Sequence, residues 1–300
     1  MRNQKKLNTI YQWGLKFLLI ISFNNIYATG IETADSLFAA GNFVEAGISY
    51  EKYIFENLNN DSLVANTLLK KVNCYKSLQR YDLIYPLLSR ANKLKLNDSL
   101  IAIIHFEKAL GCYLDHKFEL AKESILPLLN MNTGFELDRA SVILYSLILN
   151  ELNKWEESKI NLLNYINRAP MISTEIRDSL INEINSDYSK ENIPKLKNLK
   201  KARLYSFIFP GAGQVYTGHA GRGIITFSLI AGSLIFSYAN LIRELYLASA
   251  AGAYLVYTFY IGNINQLHAQ VANTNKNKKF TTNTTLKRKL SLINYTLSKQ

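Results

Sequence analysis

Four aromatic residues, Phe43, Tyr81, Phe118 and Trp155, stand 38, 37 and 37 residues apart, each in the same local setting. Around them the chain aligns as Gly41-Asn-Phe43-Val-Glu-Ala46, Gln79-Arg-Tyr81-Asp-Leu-Ile84, His116-Lys-Phe118-Glu-Leu-Ala121 and Asn153-Lys-Trp155-Glu-Glu-Ser158. A mostly small residue occurs three on, at 46, 84, 121 and 158. An apolar one occurs seven on, at Tyr50, Leu88, Ile125 and Leu162. Offsets of three and seven place all of these on one helix face. A fixed period of this length makes each repeat one supersecondary unit, and a lone helix pair cannot bury its own apolar face. The repetition therefore predicts an all-α array over residues 29–170, about four stacked helical hairpins sharing a core and leaving a curved surface.

Helix starts recur with the same period. Asn60-Asp61-Ser62-Leu63 and Asn97-Asp98-Ser99-Leu100 are 37 apart, and Asp or Ser there can accept from free first-turn amides. Pro170 stops the last helix, whereas Pro86 and Pro127 fall inside second helices and should bend them. The aromatic turn with its small and apolar followers resembles the second half of a tetratricopeptide (TPR) unit, although that period is about 34 residues. Lys71 and Lys108 depart from the TPR pattern, which has large apolar residues there. The resemblance implies a helical-hairpin solenoid whose groove binds a protein or peptide. Because the aromatics recur at structural positions they read as core and not as a cofactor box; if the Phe118 ring is fully buried, Phe118→Ala should cost about 3–5 kcal/mol. Cys74 and Cys112 read as small core residues. Ile176, Leu180, Ile181 and Ile184 share one face of a helix over 173–190 that caps the array, the first part of a segment, 171–203, that continues as a basic linker.

The stretch Phe209-Pro-Gly-Ala-Gly-Gln-Val-Tyr-Thr-Gly-His-Ala-Gly-Arg-Gly223 then breaks the pattern. Pro210 with five glycines cannot form one regular helix. It sits between apolar runs, so it reads as a tight turn at a membrane surface or a shallow re-entrant loop. Pro210, Gly211, Gly213, Gln214, Tyr216 and Gly218, with Gly223 opening an apolar helix, resemble the signature of small two-transmembrane-helix (TM-two type) domains. Gly262-Asn263 with Ala269, Ala272 and Asn273 is similar to the segment after the second helix in TPR-fused members. The resemblance spans residues 200–280 and implies membrane residence without a known reaction. Residues 204–262 then hold two spans, 224–240 and 245–261, near the lower length limit for crossing. Ser228 with Gly232, and Ala248 with Gly252, allow close helix approach in lipid, within the hairpin or between copies in a homo-oligomer. Tyr238, Tyr246, Tyr254, Tyr257 and Tyr260 suit the headgroup zone. Residues 263–300 read as a basic polar tail, disordered or surface-bound.

Charge is segregated. Residues 1–28 carry four basic groups and no acid, 29–194 net −5, and 195–300 net +13 with one acid, Glu244, summing to +12. Lys195, Lys197, Lys200, Lys201 and Arg203 interleave with Leu196, Leu199 and Leu204, a stretch suited to anionic headgroups. The cations flank apolar spans and form no recognisable binding module, so nucleic acid is not an expected partner. Residues 1–28 follow the secretory-signal pattern: Arg2, Lys5 and Lys6, then Phe17–Phe23, then Ile26-Tyr27-Ala28. A cleaved signal places the repeats outside the cytoplasm, yet the basic hairpin flanks favour the cytoplasmic side. The signal is given more weight because long domains translocate largely regardless of charge.

Chemistry is sparse. His105, His116, His219 and His268 lack metal-ligand spacing. Gly218-His-Ala-Gly-Arg-Gly223 follows no strand and lacks the Lys-Ser/Thr ending of a phosphate loop. No catalytic set, cofactor or metal is expected. Gln214 and Arg222 are the polar residues of interest, either satisfying loop amides and snorkelling to headgroups or contacting lipid or a partner. The leading expectation is a non-enzymatic, membrane-anchored scaffold holding a protein partner at the outer side of the cytoplasmic membrane. The alternative is a membrane-transport or membrane-insertion accessory acting through the hairpin.

Overall fold

The computed structural model describes residues 30–131, 134–169 and 172–298. The signal-like residues 1–28 and Pro170 lie outside the described residues. Every regular element among those described is helical, and the chain divides into two compact units at Ile148/Leu149.

In the first unit, helix α1 (Gly30–Ala39) packs on α2 (Phe43–Glu56), α2 on α3 (Asp61–Ser77), and α5 (Asp98–Leu114) on α6 (Phe118–Ile125). Between α3 and α5 lies a six-residue helix, α4 (Ile84–Ser89), with a 3-10 turn on either side. Its core gathers Ile54, Leu68, Val72, Ile84, Leu88 and Ile104. A neighbouring cluster holds Ala34, Ala46, Tyr50 and Cys74. The Tyr50 hydroxyl donates to Asp35 at 2.6 Å while Lys70 Nζ reaches the same carboxylate at 2.5 Å, tying α1, α2 and α3 together.

The repeated turns are the same object four times. Gly41, Gln79, His116 and Asn153 all have positive φ, at 81°, 55°, 58° and 61°. In each, the next residue's amide donates back across the turn: Asn42 to Leu37 O, Arg80 to Tyr75 O, Lys117 to Cys112 O, Lys154 to Leu149 O. The left-handed residue's own amide bonds three back, to Phe38, Lys76, Tyr113 and Asn150. This six-to-one and five-to-two pairing satisfies the last carbonyls of a helix. The residues three on, Ala46, Ile84, Ala121 and Ser158, are fully buried, as are Leu88, Ile125 and Leu162, with Tyr50 nearly so, seven on.

Several local expectations change. The helix caps are Asn60 and Asn97, whose side chains accept from Leu63 and Leu100 amides, not the following Asp or Ser. Asp61 instead accepts from the Lys95 amide at 2.8 Å. Phe118 is half-buried, its ring against Tyr113 and His116. Pro127 lies beyond the end of its helix, whereas Pro86 lies inside α4, in its first turn, where a proline is tolerated. Pro86 has no amide for Asp82, and the preceding turn tightens to 3-10; α6 ends at Ile125, two residues before Pro127. Lys71 and Lys108 find polar partners, Glu51 at 2.7 Å and Asn92 at 2.6 Å.

Helix α7 (Phe135–Glu151) runs into the second unit, where α8 (Trp155–Arg168) packs on α9 (Thr174–Asp187). The Tyr188 hydroxyl bonds Asn150 and Ser158, both at 2.9 Å. Then come α10 (Leu199–Ile208), α11 (Ala212–Tyr216), α12 (Ala220–Ile242) and α13 (Tyr246–Leu297). Among the described residues one helix, α12, is long and apolar enough to cross a membrane; 11 % of its apolar window is buried. The apolar opening of α13 packs beside α12 but carries four tyrosines among small residues, which lowers its hydropathy.

The described part of the basic tail, residues 263–298, is neither disordered nor free. It is the far end of α13, a helix of 52 residues, roughly 78 Å at about 1.5 Å per residue. Asn283, Leu286, Leu290, Ile293 and Leu297 are buried along it, spaced three and four apart as one helix face requires. Trp155 Nε1 donates to Asn283 Oδ1 at 3.0 Å, Asn283 Nδ2 to Glu151 at 3.1 Å, and Lys289 pairs with Asp187 at 3.1 Å.

Candidate functional site

At the glycine-rich junction three helices reverse in fifteen residues. Phe209 is extended (φ −130°, ψ 110°), as a residue before proline must be, and so α10 stops at Ile208. Gly211 turns left-handed at φ 91° and starts α11. A Cβ on Gly211 would lie 2.2 Å from the carbonyl oxygen of Gly223, so two backbones touch where α11 meets α12. A Cβ on Gly213 would lie 2.3 Å from Ala202 O, on α10. The Gly213 amide donates to buried Ser206 Oγ at 3.0 Å. Tyr216 packs edge-on to Tyr205 at 5.2 Å, accepts from the Asn198 amide at 3.1 Å and lies under Lys197 Nζ at 4.4 Å. Gly218, at φ 90°, closes α11 with the same pair of hydrogen bonds that ends each repeat helix.

Pro210, Gly211, Gly213, Tyr216, Gly218 and Gly223 thus each have a structural task. Gln214 does not. It is 1 % exposed, and its Oε1 has no hydrogen-bond partner. Two further amides on α13 share this condition. Asn263 is 3 % exposed with neither Oδ1 nor Nδ2 partnered. Gln270 is 4 % exposed; its Oε1 lies 3.3 Å from Thr217 Oγ1, and its Nε2 is unpartnered. A buried amide without a partner is costly, so native proteins hold few of them.

Gln214 and Asn263 line one cavity of about 460 Å³. Arg222, exposed on the first turn of α12, stands at its rim with Thr226, Thr258 and Gln266, while Ile225, Leu229 and Phe259 form an apolar wall. The sequence singled out Gln214 and Arg222, and the fold places both at this cavity. It did not single out Asn263 or Gln270 as polar site residues. Their seven-residue spacing around buried Leu267 was the available signal.

The small-residue pairs divide in use. Gly252 packs against Ser237, where an added Cβ would lie 2.8 Å from Ser237 Cβ, whereas Gly232 has nothing within 4 Å. The histidines are scattered. Burial pushes His105 below its ordinary pKa beside Ser124 O at 3.1 Å, and His219 Nδ1 lies 3.2 Å from Thr217 Oγ1.

A second concavity, about 670 Å³, lies in the first unit between α2 and the α3–α4 region. Val44, Ile48 and Phe55 line it while 55 %, 66 % and 75 % exposed. Lys52, Lys71 and Arg80 flank these side chains. Arg90 and Lys71 bond the groove's Glu51 and hold its carboxyl below the usual range.

No known protein family, no curated protein and no solved structure matches the chain.

Proposed function

We propose that this protein is a membrane-anchored, TPR-like helical solenoid that holds a protein partner beside the cytoplasmic membrane from its outer side, without catalysing a reaction. Three exposed apolar side chains at the mouth of the 670 Å³ groove, Val44, Ile48 and Phe55, carry the reading. Large apolar groups along one helix face fit the apolar side of an amphipathic peptide. Anchoring rests on α12 and the start of α13 as a two-span hairpin. Along α12, Ile224, Ile225, Leu234, Ile235, Leu241 and Ile242 are all exposed, and lipid is the solvent in which such a surface carries no penalty. The outer-side placement rests on the leader-like residues 1–28.

The binding reading is tested by in-cell photocrosslinking from Ile48 and Phe55 in the full-length protein. A discrete adduct with one protein, lost in Ile48→Asp, is expected; no adduct from either position defeats it. Topology is tested with single cysteines at Lys52, Lys276 and Arg243, since native Cys74 and Cys112 are buried. Lys52 and Lys276 should label from outside the membrane and Arg243 only after permeabilisation. The reverse pattern moves the scaffold to the cytoplasmic face.

The buried amides at the glycine-rich junction favour one alternative, an accessory for membrane transport or protein insertion that acts through the hairpin. Exchange of residues 204–262 for an unrelated two-span anchor separates the two: retained complementation eliminates the accessory reading.

A further inference from the structure

The cavity between Gln214, Arg222 and Asn263 has a chemistry that neither a scaffold nor an anchor requires. Its buried atoms ask for specific partners. Gln214 Oε1 and Asn263 Oδ1 need donors, and Asn263 Nδ2 needs an acceptor. Exchanging O and N in the Asn263 amide leaves its demand unchanged, one donor and one acceptor. At the rim, Arg222 has no carboxylate pairing with it among the described residues, and it sits on the first turn of a 23-residue helix, where backbone dipoles favour an anion. One wall is apolar, and its Ile225 and Leu229, 60 % and 45 % exposed, continue into the uncovered surface of α12. An anion, hydroxyls and an apolar chain leaving along α12 would together match this lining.

We propose that this cavity binds the headgroup of a glycerol-bearing phospholipid of the phosphatidylglycerol type. Arg222 and the α12 N-terminus face the phosphodiester. The two free hydroxyls of the headgroup glycerol, one secondary and one terminal, are each donor and acceptor and satisfy Gln214 and Asn263. One acyl chain lies against Ile225, Leu229 and Phe259. An ethanolamine headgroup offers donors only and leaves Asn263 Nδ2 without an acceptor beyond the phosphate. A choline headgroup offers no donor at all, so the site discriminates among lipids. The bound lipid also bridges α11, α12 and α13, locking the junction to the hairpin. The proposal rests on the membrane reading and adds to it a selective site.

The test uses the full-length protein in detergent micelles, titrated separately with phosphatidylglycerol, phosphatidylethanolamine and phosphatidylcholine and read by native mass spectrometry. A single phosphatidylglycerol adduct that survives collisional activation is expected. Occupancy should fall about tenfold or more in Arg222→Gln and in Asn263→Leu, the loss from removing one charge-assisted or buried hydrogen bond. Arg222 is exposed, so its variant keeps the fold, and Arg243→Gln, at the far end of α12, should bind as the parent does. Soluble glycerol phosphate is a parallel arm: an adduct of equal affinity would make the ligand a free phosphate and overturn the lipid assignment. Equal occupancy by all three lipids, or no loss in Arg222→Gln, overturns the site while leaving the anchor intact. Recovery of the full-length protein from the detergent-free soluble fraction removes the membrane reading itself.

Discussion

The repeat turns and the glycine-rich junction both reverse a helix through a left-handed residue, but from different material. In the repeats, three of the four left-handed positions are Gln79, His116 and Asn153, at φ between 55° and 61°. There the local cost of a non-glycine residue, about 1–2 kcal/mol, is offset by the buried row behind it. At the junction, Gly211 and Gly223 bring two main chains into contact, and no side chain of any kind fits. A left-handed turn tolerates substitution when only φ is constrained. It does not when φ and the space are constrained together.

The largest effect should therefore come from Gly211→Ala, which combines strain at φ 91° with overlap onto Gly223 O. A loss on the order of 3 kcal/mol or more is expected, measured as the thermal midpoint of the full-length protein in micelles. A variant melting with the parent would mean the two backbones are not in contact. Next is the far end of α13. Leu290, 1 % exposed, should cost about 2–5 kcal/mol when cut to alanine. The measurement is trypsin cleavage at Lys287, Arg288 and Lys289, slow in the parent and fast in Leu290→Ala. Equal rates would show that the end of α13 is held by its ion pairs alone.

Phe118→Ala should cost less, about 1–2 kcal/mol, because its ring is half-buried at a turn; Ala121→Leu, at a fully buried position on the same helix, should cost more. Reversal of that order would move the core to the aromatic row. The smallest change is a gain: His116→Gly should stabilise by about 0.5–1 kcal/mol by relieving the left-handed turn.

Lys108 sharpens the contrast between repeats from another side. Burial pushes its ammonium below the ordinary lysine pKa of 10.5, and its partner, Asn92, is neutral. The unfolded chain then binds the proton more tightly, so stability rises with pH from the lowered folded pKa up to 10.5. Lys108→Met should be the more stable protein at neutral pH, and the gap should narrow toward pH 10.5. A gap that widens instead would mean the ammonium is stabilised where it lies.

Much was legible in the linear order. The period carried by residues 43, 81, 118 and 155 located the turns, and the offsets of three and seven named the buried row. Those offsets are properties of one helix. Other features were not legible, for reasons that are also physical. Asn283, Leu286, Leu290 and Ile293 sit in an Asn-, Thr- and Lys-rich run whose composition reads as solvated, and the few buried positions are outweighed by their polar neighbours. Gly111 gave no local sign, yet a Cβ there would lie 2.6 Å from Ile84.

By itself the chain settled that it is helical, where its helices reverse, and that α12 is predominantly apolar beyond Arg222, since propensity, turn chemistry and hydropathy act over a few residues. Tertiary structure alone decided that Gln214 and Asn263, 49 positions apart, share one cavity. It also decided that Gln214 Oε1 and both amide atoms of Asn263 are left without partners, because burial and hydrogen bonding depend on which surfaces meet.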